Sequence, residues 1–282
     1  MTWNLFHGRD FPPDPALLTW RSRLLRITER GPTHAQVNRS LRSEFAAVIA
    51  AANWDVALFQ ESPPSWAATL AGVAGAAAQR ALTSRNSLGA ARALAGRLNP
   101  DLIASNEGGS NLTLVRGEIL ERRELEICPG PHPERRVMAL TRTRPAATGA
   151  EVWIANLHAS AGRALRTTAE QEVLRAADHA RSAAGDAPLI LGGDLNLRPS
   201  ETAIYGELRD RFELAPPTAP GSLDHLLVRG LAVIEPPTPW PPERREISDR
   251  GLAVRLSDHA PVDATFAAID GAGASPARRP RG

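Results

Sequence analysis

The sequence predicts an α/β fold in which two β-sheets pack face to face and helices cover their outer surfaces. Short apolar segments with strand composition outnumber helical segments, and the helical segments lie between strands. In a chain of 282 residues, a hydrophobic content of 43% supplies a sizeable core. No internal repeat or linker divides the chain.

The strand candidates are rich in Val, Ile and Leu and are bounded by Gly, Pro or charged residues. In chain order they are Thr2–Phe6, Asp55–Gln60, Asn111–Val115, Ile119–Ile127, Val137–Thr143, Glu151–Leu157, Pro188–Leu191, Leu223–Val228 and Pro261–Phe266. The aliphatic run at Pro188–Leu191 is typical of a strand buried on both faces.

Two segments have the periodicity of amphipathic helices. Their apolar faces consist of Leu41, Phe45, Val48, Ile49 and Ala52 in the first, and of Leu165, Ala169, Val173, Ala176 and Ala180 in the second. Gly185 is a typical stop for the second helix. Each helix leads into a strand candidate that ends in polar residues.

The charge of the chain is unevenly distributed. The net charge is +2, but Arg278, Arg279 and Arg281 lie in the last segment, and without them 30 basic residues face 31 acidic ones. All basic residues are Arg. The chain without this last segment is nearly neutral, whereas a dedicated duplex-binding protein usually carries a broad basic surface. Phosphate recognition would therefore depend on local arginine clusters.

One domain is predicted over residues 1–269, followed by a disordered Arg/Pro/Gly tail at 270–282. The single cysteine, Cys128, allows neither an intrachain disulfide nor a cysteine metal cluster. The first residues lack the pattern of a signal peptide, and no long apolar run is present. We therefore expect a cytoplasmic monomer that does not insert into a membrane.

Polar residues that can bind metal or phosphate stand at the ends of five strand candidates and at the start of a sixth. They are Asn4, Glu61, Asn156 with His158, Asp194 with Asn196, Asp258 with His259, and Asp224 with His225. Each has an ordinary alternative, such as a turn or cap for an acid or a structural role for a lone histidine. Six such segments in one chain indicate a shared site.

The segment with Asp194 and Asn196 is the most informative of these. In extended backbone, the two side chains point to the same side, where they suit a hard cation or a polarised water. The alternative is an ordinary strand-to-loop turn. The preceding Gly192 and Gly193 are expected to leave room for backbone beside a phosphate or metal.

Taken in order, these residues resemble the endonuclease/exonuclease/phosphatase superfamily, which has the DNase I-like fold. The Gly-Asp-x-Asn and Ser257-Asp258-His259 motifs carry most of the resemblance, which spans residues 1 to about 267. It implies a four-layered α/β/β/α sandwich of two mixed sheets with the site at one end. It also implies hydrolysis of a phosphoester with Mg²⁺ or Mn²⁺.

For the metal, the resemblance implies Glu61 as the main ligand, helped by Asn4 and Asp258. Hard oxygen ligands without cysteine favour Mg²⁺ or Mn²⁺ over Zn²⁺. One departure stands out: Phe6 occupies the position where nucleases that act on abasic DNA carry a second acid. His7 follows, but on a regular strand it would face the other side.

For the chemistry, the resemblance implies that Asp194 and Asn196 position and activate the attacking water. His259, oriented by Asp224, would contact the scissile phosphate. His158 would donate a proton or a hydrogen bond as charge develops. Which residue acts as the base stays open.

Other residues are candidates for contacts around the site. The substrate contacts predicted are Arg9 and Asn111. Arg21, Arg23 and Arg26 are more typical of a solvated helix face, Trp20 and Trp66 of half-buried packing rather than base stacking, and His225 of a strand filler or supporting residue.

Three functions are therefore considered. The first is a metal-dependent phosphodiesterase, with nucleic acid among its substrates. The second is the same chemistry on a small or lipid-derived phosphate. The third, a catalytically silent binding protein on this fold, is disfavoured by the intact set of candidate residues.

Overall fold

The computed structural model of the chain describes residues 1–25, 27–37, 39–83, 109–128 and 136–269. The tail predicted at 270–282, residue Arg26 and the side chain of Arg23 lie outside the described residues. No helix among the described residues combines the length and apolar character needed to cross a membrane.

The described residues form strands and α-helices, and several strands follow one another directly along the chain. The strands are β1 Thr2–Asn4, β2 Glu29–Arg30, β3 Ala35–Gln36, β4 Val56–Ser62, β5 Ala77–Leu82, β6 Ser110–Val115, β7 Gly117–Cys128, β8 Arg136–Pro145, β9 Val152–His158, β10 Leu189–Asp194, β11 Asp224–Arg229, β12 Leu231–Pro239, β13 Glu246–Asp249, β14 Leu252–Arg255 and β15 Val262–Ala268. The α-helices are α1 Trp20–Leu25, α2 Arg42–Ala51, α3 Ala67–Ala74, α4 Arg166–Ala184 and α5 Ile204–Phe212.

Two mixed sheets form the centre of the fold. One has the strand order β12-β15-β1-β4-β6-β5 and the other β11-β10-β9-β8-β7. The pairs β1–β4 and β9–β10 are parallel, while most other pairs are antiparallel. Two small two-stranded sheets, β13–β14 and β2–β3, lie outside this framework.

Helices cover the outer face of each sheet. On the six-stranded sheet, Phe45 of α2 packs in one buried cluster with Trp3, and their ring centroids are 5.0 Å apart. On the five-stranded sheet, α4 and α5 contribute Val173 and Leu208 to a second buried cluster. A third cluster, which includes Leu58, fills the space between the sheets. The predicted four-layered α/β/β/α sandwich is confirmed.

A buried polar network also joins the two sheets. Gln60 Nε2 donates to Asn156 Oδ1 at 2.8 Å, and Asn156 Nδ2 donates to the main-chain oxygens of Phe59 and Leu112. Both side chains are fully buried. Asn156 therefore ties the sheets together, and its satisfied bonds make its burial tolerable.

All nine predicted strands and both predicted helices are present, with shifted ends. The strand β1 is shorter than predicted and ends at Asn4, because Phe6 and His7 adopt left-handed backbone with φ of 48° and 53°. The sequence did not predict α3, which is rich in Ala and Gly, or β12, which contains Pro236 and Pro237. Prolines are tolerated in β12 because it is an edge strand.

The two glycines before Asp194 serve packing between strands. Gly193 has a φ of 132°, and a Cβ there would lie 1.9 Å from the main-chain oxygen of Leu157 on β9. A Cβ on Gly192 would lie 2.7 Å from Leu226 on β11. The expectation that these glycines clear space beside a phosphate or metal is wrong, since neighbouring strands fill that space.

Candidate active site

The strand register gathers the predicted residues at one edge of the sandwich. Asn4 at the end of β1 is paired with Gln60, one residue before Glu61. Asp194 at the end of β10 is paired with His158 on one side and with Asp224 on the other. Because these strands all reach the same edge, residues far apart in sequence become neighbours.

Asp194 lies at the centre of this group. It is 1% exposed, its Oδ2 accepts from Asn4 Nδ2 at 2.9 Å, and its Oδ1 accepts from the main-chain N–H of Asn196 at 3.1 Å. Asn196 has a φ of 54°, and its side chain donates to the main-chain oxygen of Ala159 at 3.0 Å. The carboxylate is therefore held from both sides.

Asp224 holds the imidazole of His259. Asp224 Oδ2 is 2.7 Å from His259 Nδ1, whereas its Oδ1 is buried without a hydrogen-bond partner among the described residues. The main chain of His259 is fixed as well, because its N–H donates to Ser257 Oγ at 3.0 Å and its oxygen accepts from Trp3 Nε1 at 3.0 Å. Ser257 Oγ donates in turn to the main-chain oxygen of Asn4. The Ser257-Asp258-His259 turn is thereby tied to β1.

In the half of the site formed by Asp194, Asp224 and His259, one imidazolium offsets part of the charge of two carboxylates. Burial acts to lower the pKa of His259, but the charge and hydrogen bond of Asp224, with the charge of Asp194, raise it to about 10. Burial, followed by the charge of Asp224, raises the pKa of Asp194 to about 6. His259 is therefore an imidazolium at neutral pH, and its Nε2 lies 3.7 Å from Asp194 Oδ2.

Glu61 stands in a different environment. Its Oε2 is 3.2 Å from His7 Nε2, and its Oε1 is 3.8 Å from His158 Nε2. Burial, followed by the charges of Asp194 and Asp258, raises its pKa to about 7. Burial lowers the pKa of His7 to about 4 and that of His158 well below its usual value. Both imidazoles are therefore neutral, so they do not balance the charge of Glu61.

His7 is a site residue that the sequence did not reveal. The strand ends at Asn4, and the left-handed residues Phe6 and His7 turn the ring back toward Glu61 instead of away from it. Gly8 has a φ of 78°, and a Cβ there would lie 2.2 Å from the indole of Trp66. That glycine is the one local signal of a tight turn after the first strand.

Asp258 was predicted as a metal ligand, and Arg9 and Asn111 as substrate contacts. Their contacts in the structure do not test these roles, which stay predictions. Asp258 is exposed, and its Oδ1 lies 3.4 Å from Ser257 Oγ. The guanidinium of Arg9 lies over the ring of Phe6, 4.9 Å from its centroid. Asn111 is fully buried, and its side chain donates to the main-chain oxygen of Val137 at 2.7 Å.

Two further arginines lie close to the site. Arg136 Nε donates to Ser160 Oγ at 3.3 Å, and its charge contributes to lowering the pKa of His158, after burial. Arg198 lines a cleft of about 230 Å³ together with Asp258 and His259. Neither was predicted, because only the folded chain brings these guanidinium groups to the edge.

The remaining candidates take supporting or peripheral positions. Trp66 is 8% exposed and packs 5.6 Å from Phe45 in the core, so it does not offer a surface for stacking on a base. Trp20 is 64% exposed on α1, where Arg21 is exposed too. The ring of His225 is buried and accepts from the N–H of Thr218, so it supports the neighbouring loop.

The residues at this edge fit a divalent cation. Asp194, Asp224 and His259 offer ligand atoms that lie within 4.8 Å of one another. His259 already brings a positive charge to those two carboxylates, however, whereas the imidazoles of His7 and His158 beside Glu61 are neutral. The chemistry of the donors, oxygen from carboxylates and nitrogen from imidazoles, therefore places the greater need for a cation beside Glu61.

Comparison with known proteins agrees with this architecture. The sequence model of the Endonuclease/Exonuclease/phosphatase family matches residues 1–259. No curated protein matches the chain by sequence.

Solved structures share the fold at low sequence identity. The mannosyl-6-phosphatase of Bacteroides thetaiotaomicron is 13% identical with a TM-score of 0.64, covering 94% of this chain and 97% of its own. Truncated TDP2 of Caenorhabditis elegans is 17% identical with a TM-score of 0.56, covering 95% and 96%. The human Nocturnin catalytic domain, which carries a bound sulfate, is 13% identical with a TM-score of 0.56, covering 81% and 88%.

Proposed function

The chain belongs to the Endonuclease/Exonuclease/phosphatase family, and we propose that it is a divalent-metal-dependent enzyme that hydrolyses phosphodiester bonds. At the level of the family it is a phosphoesterase. The observation that carries the proposal is the gathering of Asp194, Asp224 and His259 within 4.8 Å, beside Glu61 at the same edge. Phosphoryl transfer depends on positioning and charge neutralisation, which such a group can provide.

The metal side of the proposal involves Glu61, Asn4 and Asp258. These residues would hold Mg²⁺ or Mn²⁺, which would neutralise charge on the phosphoryl oxygens. The raised pKa of Glu61, about 7, means that its carboxylate binds a cation best above neutral pH.

Asp194 is the proposed acceptor of the proton from the attacking water. Its pKa of about 6 leaves it ionised at neutral pH while close enough to neutrality to accept a proton. The hydrogen bonds from Asn4 and from the main chain of Asn196 orient the two carboxylate oxygens. Asn196 would help to position the water.

The histidines are proposed to act on the phosphate and the leaving group. Asp224 binds Nδ1 of His259, so Nε2 of His259 is the nitrogen that would donate to a phosphoryl oxygen. His158, buried beside Glu61 and Asp194, would donate a hydrogen bond as charge develops on the leaving oxygen.

A second substrate class is supported by the cleft beside His259. Its volume of about 230 Å³ and its single arginine, Arg198, are compatible with a small or lipid-derived phosphate as well as with one nucleotide of a nucleic acid. A body with 30 basic and 31 acidic residues also gives little general attraction for a duplex.

The test is a panel of plasmid, single-stranded DNA, RNA, phosphoinositide head groups and nucleotides, each with Mg²⁺, Mn²⁺ or EDTA. The proposal expects metal-dependent hydrolysis that is absent from Asp194→Ala, and a salt titration that weakens nucleic-acid cleavage far more than small-molecule turnover. Lack of hydrolysis throughout the panel, with no effect of EDTA, would leave the silent binding protein as the better account.

A further inference from the structure

The turn after β1 places His7 directly against Glu61. His7 Nε2 is 3.2 Å from Glu61 Oε2, and the two side chains are 17% and 22% exposed. The other ring nitrogen, Nδ1, is buried without a hydrogen-bond partner among the described residues. Nε2 is therefore the nitrogen that the fold presents to the site.

Several contacts fix this position, although its backbone is unfavourable. Phe6, His7 and Glu61 have φ of 48°, 53° and 48°, a region that costs energy for residues other than glycine. Such conformations cluster at ligand clamps, where the surrounding structure enforces them. Gly8 packs against the indole of Trp66, where a Cβ would lie at 2.2 Å.

The strand that carries Glu61 is distorted at the same place. The register of β4 against β6 shifts between Phe59 and Ser62, as in a β-bulge, which changes the direction of the two side chains between them, Gln60 and Glu61. Across from it, a Cβ on Gly109 would lie 3.6 Å from Cε1 of His7 and 3.5 Å from Cα of Glu61. The two side chains are thus brought together by two separate departures from regular strands.

We propose that His7 Nε2 joins Glu61 as a ligand of the divalent cation, so that the site takes a transition-metal ion such as Mn²⁺ in preference to Mg²⁺. The inference rests on the proposed function, since it concerns the same cation. Imidazole nitrogen suits transition metals, whereas Mg²⁺ prefers oxygen ligands and keeps much of its water. His7 stands beside Glu61, where a second carboxylate would instead favour Mg²⁺.

The experiment uses Mn²⁺ bound to the full chain. Pulsed electron paramagnetic resonance of the wild type is expected to show coupling to a ¹⁴N nucleus, which is lost in His7→Gln and retained in the matched control His179→Gln on α4. In competition titrations, His7→Asp is expected to shift the ratio of Mn²⁺ to Mg²⁺ affinity toward Mg²⁺ by about tenfold, since nitrogen is replaced by oxygen.

Each outcome separates the inference from the proposed function. Mn²⁺ that binds without ¹⁴N coupling, or coupling that disappears in His158→Gln but survives in His7→Gln, overturns the role of His7 and leaves metal dependence standing. If the wild type binds no divalent ion at millimolar concentration, the metal-dependent function fails as well. If His7→Gln does not fold, the wild-type spectrum and the ratio of Mn²⁺ to Mg²⁺ affinity in His7→Asp still test whether His7 is a ligand.

Discussion

The carboxylates in the two halves of the site have different neighbours, an imidazolium in one half and neutral imidazoles in the other. On one side, Asp194 and Asp224 share the imidazolium of His259, which lies 2.7 Å from Asp224 Oδ2. On the other side, Glu61 faces His7 and His158, both neutral. One half contains a cation of its own, whereas the imidazoles that contact Glu61 are neutral, so the proposed metal ion would bind beside Glu61.

This difference assigns separate tasks to the two halves. The half with its own cation can keep a fixed arrangement of carboxylate and imidazolium before substrate binds, as preorganised catalysis requires. On the other side, burial and the charges of Asp194 and Asp258 keep the pKa of Glu61 raised, and the proposed cation would lower it. Substitutions in the first half should therefore affect chemistry, and those in the second should affect metal affinity.

Asp194→Asn is expected to have the largest effect. It preserves shape but removes the proposed proton acceptor, and loss of a general base typically lowers kcat by about 10²–10⁴-fold. Burial disfavours the charge of Asp194, but the NH₂ of the new amide would face either Asn4 Nδ2 or the main-chain N–H of Asn196, so the chain should lose about 1–3 kcal/mol of stability. Steady-state kinetics and a thermal melt test both parts; retained kcat would contradict the assignment of Asp194.

Asp224→Asn should have the next largest effect, about 10²-fold in kcat, because it leaves His259 without its charged partner. In the wild type the pKa of His259 rises from 6.5 to about 10, so its stabilisation is complete below pH 6.5 and is lost as the pH rises through about 10. In Asp224→Asn, the free energy of unfolding should depend less on pH over this range, as measured by denaturant titrations with EDTA.

His34→Gln is the matched control for that prediction, because His34 Nε2 pairs with Glu246 at 3.2 Å in a separate part of the chain. Its kcat should equal that of the wild type. An unchanged pH dependence in Asp224→Asn would show that Asp224 does not set the charge of His259.

Glu61→Gln tests the other half through metal affinity, which should fall by at least about 10-fold. The pKa of Glu61 is raised from 4.5 to about 7, so its ionisation weakens the fold of the metal-free protein as the pH rises through this interval. The metal-free variant should therefore be more stable than the wild type at pH 8. Calorimetry with Mn²⁺ and melts in EDTA measure these effects; unchanged Mn²⁺ affinity would place the cation elsewhere.

Glu172→Ala should have the smallest effect on chemistry. Glu172 is 4% exposed and accepts from both the N–H and the Oγ of Ser160, next to Ala159, whose oxygen holds Asn196. Loss of these bonds should lower the free energy of unfolding by about 1–3 kcal/mol with a smaller loss of kcat. A loss of kcat as large as that of Asp194→Asn would mean that Glu172 acts in the site itself.

Much of this site could be predicted from sequence because its strands follow a simple pattern. Each apolar run that ends in Asn4, Glu61, His158 or Asp194 reaches the same edge, so residues at the strand ends meet. The same reasoning predicted the nine strands and the two longest helices, whose periodicity is strong.

The remainder depended on features that are not local in sequence. The approach of His7 to Glu61 requires left-handed backbone at Phe6 and His7. The sequence at these two positions does not predict that conformation. The proximity of Arg136 to His158 arises only when β8 and β9 pair. The role of Gly193 as a spacer against Leu157 likewise depends on that folded sheet.

The most direct test of the two-part site is the anomalous diffraction of a crystal soaked with Mn²⁺. We predict a peak within coordination distance of the Glu61 carboxylate and none between Asp194 and Asp224, with His259 Nδ1 still bonded to Asp224. A peak between Asp194 and Asp224, with the ring of His259 displaced, would contradict this prediction.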